Sequence, residues 1–348
     1  MKFKAAVLFD VKKPLEICEI ELANKLKDHQ VLVKVHFSGV CHSQVMEADG
    51  FRGEDKYLPH LLGHEGVGEV VEIGPGVSKT QVGDKVVLTW IKGSGVEAES
   101  PSYKFNNKVI NAGKITTFNE YAIVSENRLF KIPETAPSDL SVLLGCALPT
   151  GAGIVLNQIQ VQPESTCLVW GLGGVGMSAL LALKSLAPSK IVGVDASNDK
   201  LEFSLKSGLI TKAFNSESNT LKQDLMSLTE NKGFDFVIEA AGSVLSIETA
   251  FSFVRKFGGK MVFASHPPVG HKISLDPHDL ISGKNIIGTW GGSCVPERDS
   301  VKLLSLIGNL SSSSSILLRP VYKLEEINLA LESLRLKKAF RPLIDLRF

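Results

Sequence analysis

The chain has 348 residues, 44% apolar and 22% charged, which is too long for one hydrophobic core and too apolar for a disordered or fibrous protein, so two structural units are expected. Its 38 basic and 37 acidic side chains nearly cancel to a formal charge of +1. Neither sign forms a long run, which excludes an electrostatic footprint for nucleic acid or membrane and points to small-molecule partners.

The N-terminal segment holds an apolar stretch too short for a signal peptide, and no apolar run approaches bilayer-spanning length. Short β-branched runs at 31–35, 66–73, 83–88 and 121–124 are separated by turn signals, a pattern that predicts a compact β-rich domain. Residues 91–113 are polar and contain glycine, and are expected to form a mobile loop. After Pro149 to Gly153 the rhythm changes. The strand Thr166–Trp170 leads through a glycine turn into an apolar helix at 178–186, and later strands are predicted at 190–195, 234–238 and 259–264. Strands alternating with helices predict a parallel sheet covered on both faces. The tail reads as Trp290 and its glycines, a helical stretch, a polar loop at the serines 311–315, a helix at 324–337 and a strand at 342–346. It is expected to return to the first domain.

Five cysteines, Cys18, Cys41, Cys146, Cys167 and Cys294, lie far apart with no C-x-x-C pair. That spacing argues against a disulfide framework and for a reducing compartment, so a cytoplasmic location is the expectation. Any metal site must then be assembled from distant segments.

Gly171-Leu172-Gly173-Gly174-Val175-Gly176 fits G-x-G-x-x-G. In that pattern glycines permit a tight turn, close approach to a pyrophosphate and close packing of helix on strand. The next predicted strand ends at Asp195, whose carboxylate suits the ribose hydroxyls and would repel the extra phosphate of NADP, so NAD is expected.

Cys41 lies in Gly39-Val40-Cys41-His42-Ser43, His64 and Glu65 lie in Gly63-His64-Glu65-Gly66, and Cys146 lies in Leu144-Gly145-Cys146 followed by Thr150-Gly151. Thiolate, imidazole and carboxylate are zinc ligand types, and a catalytic zinc takes three protein ligands with a fourth position open. Spacing alone leaves the site open. The four motifs in this order resemble the zinc-containing medium-chain alcohol dehydrogenases, over nearly the whole chain.

The resemblance implies an α/β protein with a GroES-like β-rich catalytic domain at 1–150 and 290–348. It places a Rossmann domain with a doubly wound parallel sheet at 151–289. It implies Cys41, His64 and Cys146 as ligands of one zinc per chain, with Glu65 behind the metal. Ser43 would hydrogen-bond the substrate oxygen and pass on its proton, Thr150 and Val175 would pack beside the nicotinamide, and His42 and Arg341 would donate to the pyrophosphate. Lys200 matches a ribose contact. The implied function is reversible hydride transfer between a primary or secondary alcohol and NAD, in a homodimer or homotetramer. A zinc-free quinone or enone reductase on the same scaffold would lack the ligand set. Polyol dehydrogenases commonly carry Glu where Cys146 stands, and an inactive nucleotide-binding protein would need no intact ligands. Residues 288–292 and the short lobe at 91–113 are similar to the aryl-alcohol and class III-like branches, which favours aromatic or medium-chain alcohols.

Plainer readings stand beside these. Ser43 suits the cap of a helix starting near Gln44, Glu65 an internal hydrogen-bond acceptor, and Trp90 and Trp290 either a substrate pocket or core aromatics. Cys18, Cys167 and Cys294 read as structural. The chain also departs from the family pattern. No cysteine lies between Trp90 and Tyr121, which rules out a four-cysteine zinc site there. Gln44 replaces the usual acidic residue that supports the zinc-bound imidazole, and Met46 stands where several members end their proton relay in histidine.

Overall fold

A computed structural model of the chain describes residues 1–22, 25–308 and 318–347. They form two compact units, one of Met1–Cys146 with Val295–Phe348, the other of Ala147–Cys294.

The first unit contains a closed five-stranded barrel, in the order Lys2–Leu8, Glu16–Leu22, Ser102–Phe105, Lys108–Asn111, His60–Leu61. A seven-stranded sheet runs Leu129–Lys131, Lys85–Thr89, Glu65–Ile73, Gln30–Gly39, Leu343–Asp345, Val321–Lys323, with Tyr121–Ser125 also pairing Gln30–Gly39. Successive side chains of a strand point to opposite faces, and the sequence uses both. Phe3, Ala5 and Val7 enter one core while Ala6 and Leu8 enter another. Val31, Val33 and Val35 likewise join the second core and Leu32 the first. Near its end, Gln30–Gly39 pairs antiparallel with Leu343–Asp345, Leu343 opposite Gly39.

Six parallel strands make the second unit, in the order Lys212–Asn215, Lys190–Asp195, Thr166–Trp170, Phe236–Glu239, Lys260–Phe263, Asn285–Gly288. Counted within the unit this is the doubly wound order 3-2-1-4-5-6, in which the first strand sits beside the switch point where dinucleotides bind. The glycine turn leaves the end of that strand and enters the helix Gly174–Leu186.

Several expectations need correction. Residues 91–113 are not a featureless loop. Ser102–Phe105 and Lys108–Asn111 form a hairpin with Tyr103 opposite Ile110, both fully buried, and Ile123 N–H donates to the Tyr103 hydroxyl at 3.0 Å. The helix near Gln44 spans His42–Ala48 with Cys41 at its N-cap, so Ser43 lies inside the first turn and is not the cap. The tail helix is a 3-10 turn, Leu324–Glu326, running into Ile327–Arg335. The serines 311–315, expected as a polar loop, lie outside the described residues. Among the described residues no single helix is long and apolar enough to cross a membrane.

Candidate metal centre

Three elements of the first unit deliver three ligand-type side chains to one point. Cys41 follows the strand Gln30–Gly39 and caps the helix His42–Ala48, His64 precedes the strand Glu65–Ile73, and Cys146 follows the 3-10 turn Val142–Gly145. Their ligand atoms lie within 4.8 Å of one another, with His64 Nε2 3.2 Å from Cys146 Sγ. Tetrahedral zinc bonds of about 2.0–2.3 Å put ligand atoms roughly 3.3–3.8 Å apart, a spacing close to that of this group, in which the 3.2 Å pair would open slightly around an ion. None of the five cysteines is in a disulfide among the described residues.

The two cysteine side chains are hydrogen-bonded to each other. A hydrogen bond from the Cys146 thiol, aided by the Arg341 charge, holds Cys41 well below the ordinary thiol value of 9.0 even though burial opposes it. That same hydrogen bond, burial and the Cys41 charge push Cys146 well above it. A thiolate, a second thiol and an imidazole form a donor set suited to a borderline-soft dication.

Glu65 and Arg341 are fully and almost fully buried behind these ligands, at 0% and 3% exposure. Arg341 Nε donates to Glu65 Oε1 at 2.5 Å. Burial works against the Arg341 charge, but Cys41 and Glu65 more than offset it and keep the guanidinium protonated. The carboxylate fits because its neighbours are small: a Cβ at Gly39 would collide with Glu65 Oε1, and one at Gly145 would meet Glu65 Cβ at 2.6 Å. Glu65 is not part of the three-residue ligand group. The sequence placed Arg341 with the dinucleotide; here its Nε is committed to Glu65, while its Nη2 has no hydrogen-bond partner among the described residues.

Gln44 joins the centre from behind the imidazole. Its side chain is 1% exposed, its Oε1 accepts Cys41 N–H at 2.8 Å, and its Nε2 lies 2.6 Å from His64 Nδ1. Ser43 Oγ lies 3.4 Å from the same nitrogen. The Trp90 ring is tilted beside His64, centroids 6.4 Å apart, whereas Trp290 is 82% exposed on the second unit. His42 is exposed at the start of its helix, and Met46 is buried.

In the second unit the glycine motif meets its three requirements separately. Gly171 has φ +91°, and a Cβ there would strike the backbone at Ala240 and Ala241. At Gly173 a Cβ would meet nothing within 4 Å, which leaves room for a pyrophosphate. At Gly176 a Cβ would collide with the Gly171 carbonyl, so only glycine lets the helix close on the strand. Gly174 and Val175 begin the helix Gly174–Leu186. Asp195 accepts N–H bonds from Leu172 at 2.6 Å and Ser197 at 2.8 Å, tying the glycine turn to the end of the second strand. The helix Ala147–Gly153, which carries Thr150, packs so closely on this one that a Cβ at Gly151 would collide with the Val175 carbonyl. Lys200 is nearly buried in the helix Asn198–Lys206.

One residue of this region escaped the sequence reading. Glu239 ends its strand fully buried and accepts hydrogen bonds from Ala241 N, Gly242 N, Ser246 Oγ and Ser265 Oγ. It fixes the turn whose backbone lies against Gly171. Burial pushes its carboxyl above the ordinary range. An acidic residue ending an apolar strand before Ala240-Ala241-Gly242, as Asp195 ends its own, was the available signal.

Residues 27–134 match the alcohol dehydrogenase GroES-like domain family, and residues 174–309 match the zinc-binding dehydrogenase family. A class-3 alcohol dehydrogenase of Drosophila melanogaster is 33% identical over 318 residues, covering 83% of this chain and 82% of that protein. Among solved structures, the benzyl alcohol dehydrogenase of Acinetobacter calcoaceticus is similar with a TM-score of 0.88 at 29% identity, over 99% of both chains. An alcohol dehydrogenase zinc-binding domain protein of Burkholderia ambifaria gives a TM-score of 0.90 at 26% identity over 100% of both.

Proposed function

The chain belongs to the zinc-type medium-chain alcohol dehydrogenase family, and we propose from that premise that its substrates are aromatic or medium-chain alcohols and the matching carbonyl compounds. It is an oxidoreductase that moves a hydride between an alcohol and NAD with a catalytic zinc. The observation that carries this function is the meeting of Cys41, His64 and Cys146 ligand atoms within 4.8 Å. The aromatic preference draws on the Trp90 ring beside His64 and on the likeness to a benzyl alcohol dehydrogenase.

Zinc, when bound, supplies a Lewis acid that lowers the pKa of an alcohol, and NAD accepts the hydride. The chain's own residues set up that chemistry. Cys41, His64 and Cys146 are the ligands in this reading, and the buried Arg341 balances part of the thiolate charge. Ser43 would be the proton carrier, its hydroxyl standing 3.4 Å from His64 Nδ1 at the edge of the ligand group. His42, exposed at the helix start, passes the proton to solvent where Met46 cannot. Glu65 keeps Arg341 in place. Gly171, Gly173, Gly174, Val175 and Gly176 would hold the pyrophosphate, Asp195 and Lys200 the adenosine ribose, and Thr150 would lie beside the nicotinamide. Arg341 retains the pyrophosphate role that the family resemblance implies, with Nη2 uncommitted among the described residues. A homodimer or homotetramer in the cytoplasm completes the reading; sedimentation showing only monomer, or fractionation placing the protein in a secreted pool, would remove those two points.

The decisive assay follows reduced-nicotinamide absorbance with NAD or NADP against benzylic, aliphatic and polyol substrates, before and after chelation. Turnover of benzylic or medium-chain alcohols with NAD that stops on chelation and returns with zinc is expected. Zinc-independent reduction of enones with NADPH would instead establish the rival reductase.

A further inference from the structure

Gln44 faces two hydrogen-bonding demands at once. Cys41 N–H is a backbone donor in every state of the protein, so the Gln44 atom 2.8 Å away must be the carboxamide oxygen. The amino group is thereby turned toward His64 Nδ1 at 2.6 Å. An amino group can only donate, so Nδ1 must accept, and the proton of the neutral imidazole then sits on Nε2. Nε2 is the nitrogen that faces Cys146 Sγ at 3.2 Å, and it is the one a metal in this group would need.

Loading the metal on Nε2 moves the imidazole proton to Nδ1, where it meets the Gln44 amino group donor to donor. Turning the carboxamide over gives the oxygen to His64 but leaves its amino group facing Cys41 N–H, which is the same conflict at the other end. At 3.4 Å, Ser43 Oγ is too far to replace the lost acceptor fully. Gln44 is 1% exposed, so bulk water does not relieve either arrangement. A carboxylate at this position would have two acceptor oxygens and no donor and would accept both N–H groups together.

We propose that Gln44 makes this a weakly held, exchangeable zinc site, because its carboxamide satisfies Cys41 and His64 together only in the imidazole tautomer that zinc must displace. This rests on Cys41, His64 and Cys146 being the zinc ligands. Groups that orient a metal-bound imidazole typically change metal affinity about 10- to 100-fold. Gln44→Glu, which keeps the side-chain length, should therefore bind zinc about 10- to 100-fold more tightly than the wild type.

Two measurements on the full-length chain test it. The first is zinc affinity by competition with a chromophoric chelator, wild type against Gln44→Glu. The second is the His64 tautomer, read from long-range proton–nitrogen correlations of ¹⁵N-histidine-labelled, metal-free protein. The expected result is Nε2–H in the metal-free wild type, Nδ1–H in metal-free Gln44→Glu, and tighter zinc binding by the variant. An Nδ1–H tautomer in the metal-free wild type overturns the proposal without recourse to any variant, as does equal or weaker zinc binding by a folded Gln44→Glu. Because an added charge alone would strengthen zinc binding, tighter binding without the tautomer change also overturns it. Failure of both proteins to bind zinc removes the ligand assignment itself, a separate result from failure of the Gln44 argument.

Discussion

Glu65 and Arg341 form an ion pair with almost no water around it, at 0% and 3% exposure, beside the Cys41 sulfur, whose pKa is lowered in part by the Arg341 charge. Such a pair contributes little over a well-packed apolar pair, but removing one partner strands the other. Arg341→Met should therefore lower stability by about 3–5 kcal/mol, while the double variant Glu65→Gln with Arg341→Met should recover much of the loss. Denaturant unfolding of the four proteins in the cycle measures this, and equal losses in the single and double variants would contradict it. The meeting of Cys41, His64 and Cys146 at one point was legible because each sits in its own short motif. The ion pair was not legible, because its members lie 276 residues apart and nothing local to Arg341 names Glu65. Gln44 was visible as a departure from the family pattern, but its competing partners emerged only from the geometry.

At the level of elements, legibility followed burial. The strands Thr166–Trp170 and Lys190–Asp195 are buried on both faces and read as continuous apolar runs. The sheet's two edge strands have no fully buried residue, Lys212–Asn215 being mostly half-buried and Asn285–Gly288 mostly exposed, and gave no such run, so they went unread. The helix Gly174–Leu186 starts four residues before the expected 178, because the helix begins inside the glycine motif. The hairpin of Ser102–Phe105 and Lys108–Asn111 was missed for a different reason. Its signal is the two-residue turn Asn106-Asn107, with Asn106 at φ +52°, a conformation asparagine tolerates and β-branched residues do not. Asn106→Val should lower stability by about 1–2 kcal/mol, and Asn106→Gly should leave it nearly unchanged. Comparable losses in the two variants on thermal unfolding would mean that the turn conformation is not what the asparagine supplies.

For the molecule as a whole, the alkaline limit of stability has an identifiable contributor. Burial, with a smaller contribution from Asp235, pushes the Cys167 thiol up to about 12 from an ordinary 9.0. The folded chain keeps this proton at pH values where the unfolded chain has released it. The contribution is thus fully present below pH 9 and is lost as pH rises toward 12, by about 1.4 kcal/mol per pH unit. Cys167→Ala should be less stable at neutral pH through lost packing yet show a shallower decline between pH 9 and pH 11. Parallel declines for the two proteins in denaturant titrations would show that Cys167 does not set the slope.

The return of the chain terminus to the first unit also gives the metal centre an order of assembly during synthesis. All three side chains of the candidate metal group have been made once Cys146 is joined, but Arg341 follows Glu65 by 276 residues, roughly 15 to 55 seconds at ordinary rates of translation. Throughout that interval Glu65 lacks its cation, and the end of Gln30–Gly39 lacks the strand Leu343–Asp345 that pairs with it. A message truncated between Cys146 and Arg341 encodes all three side chains of the candidate metal group but not the cation that pairs with Glu65.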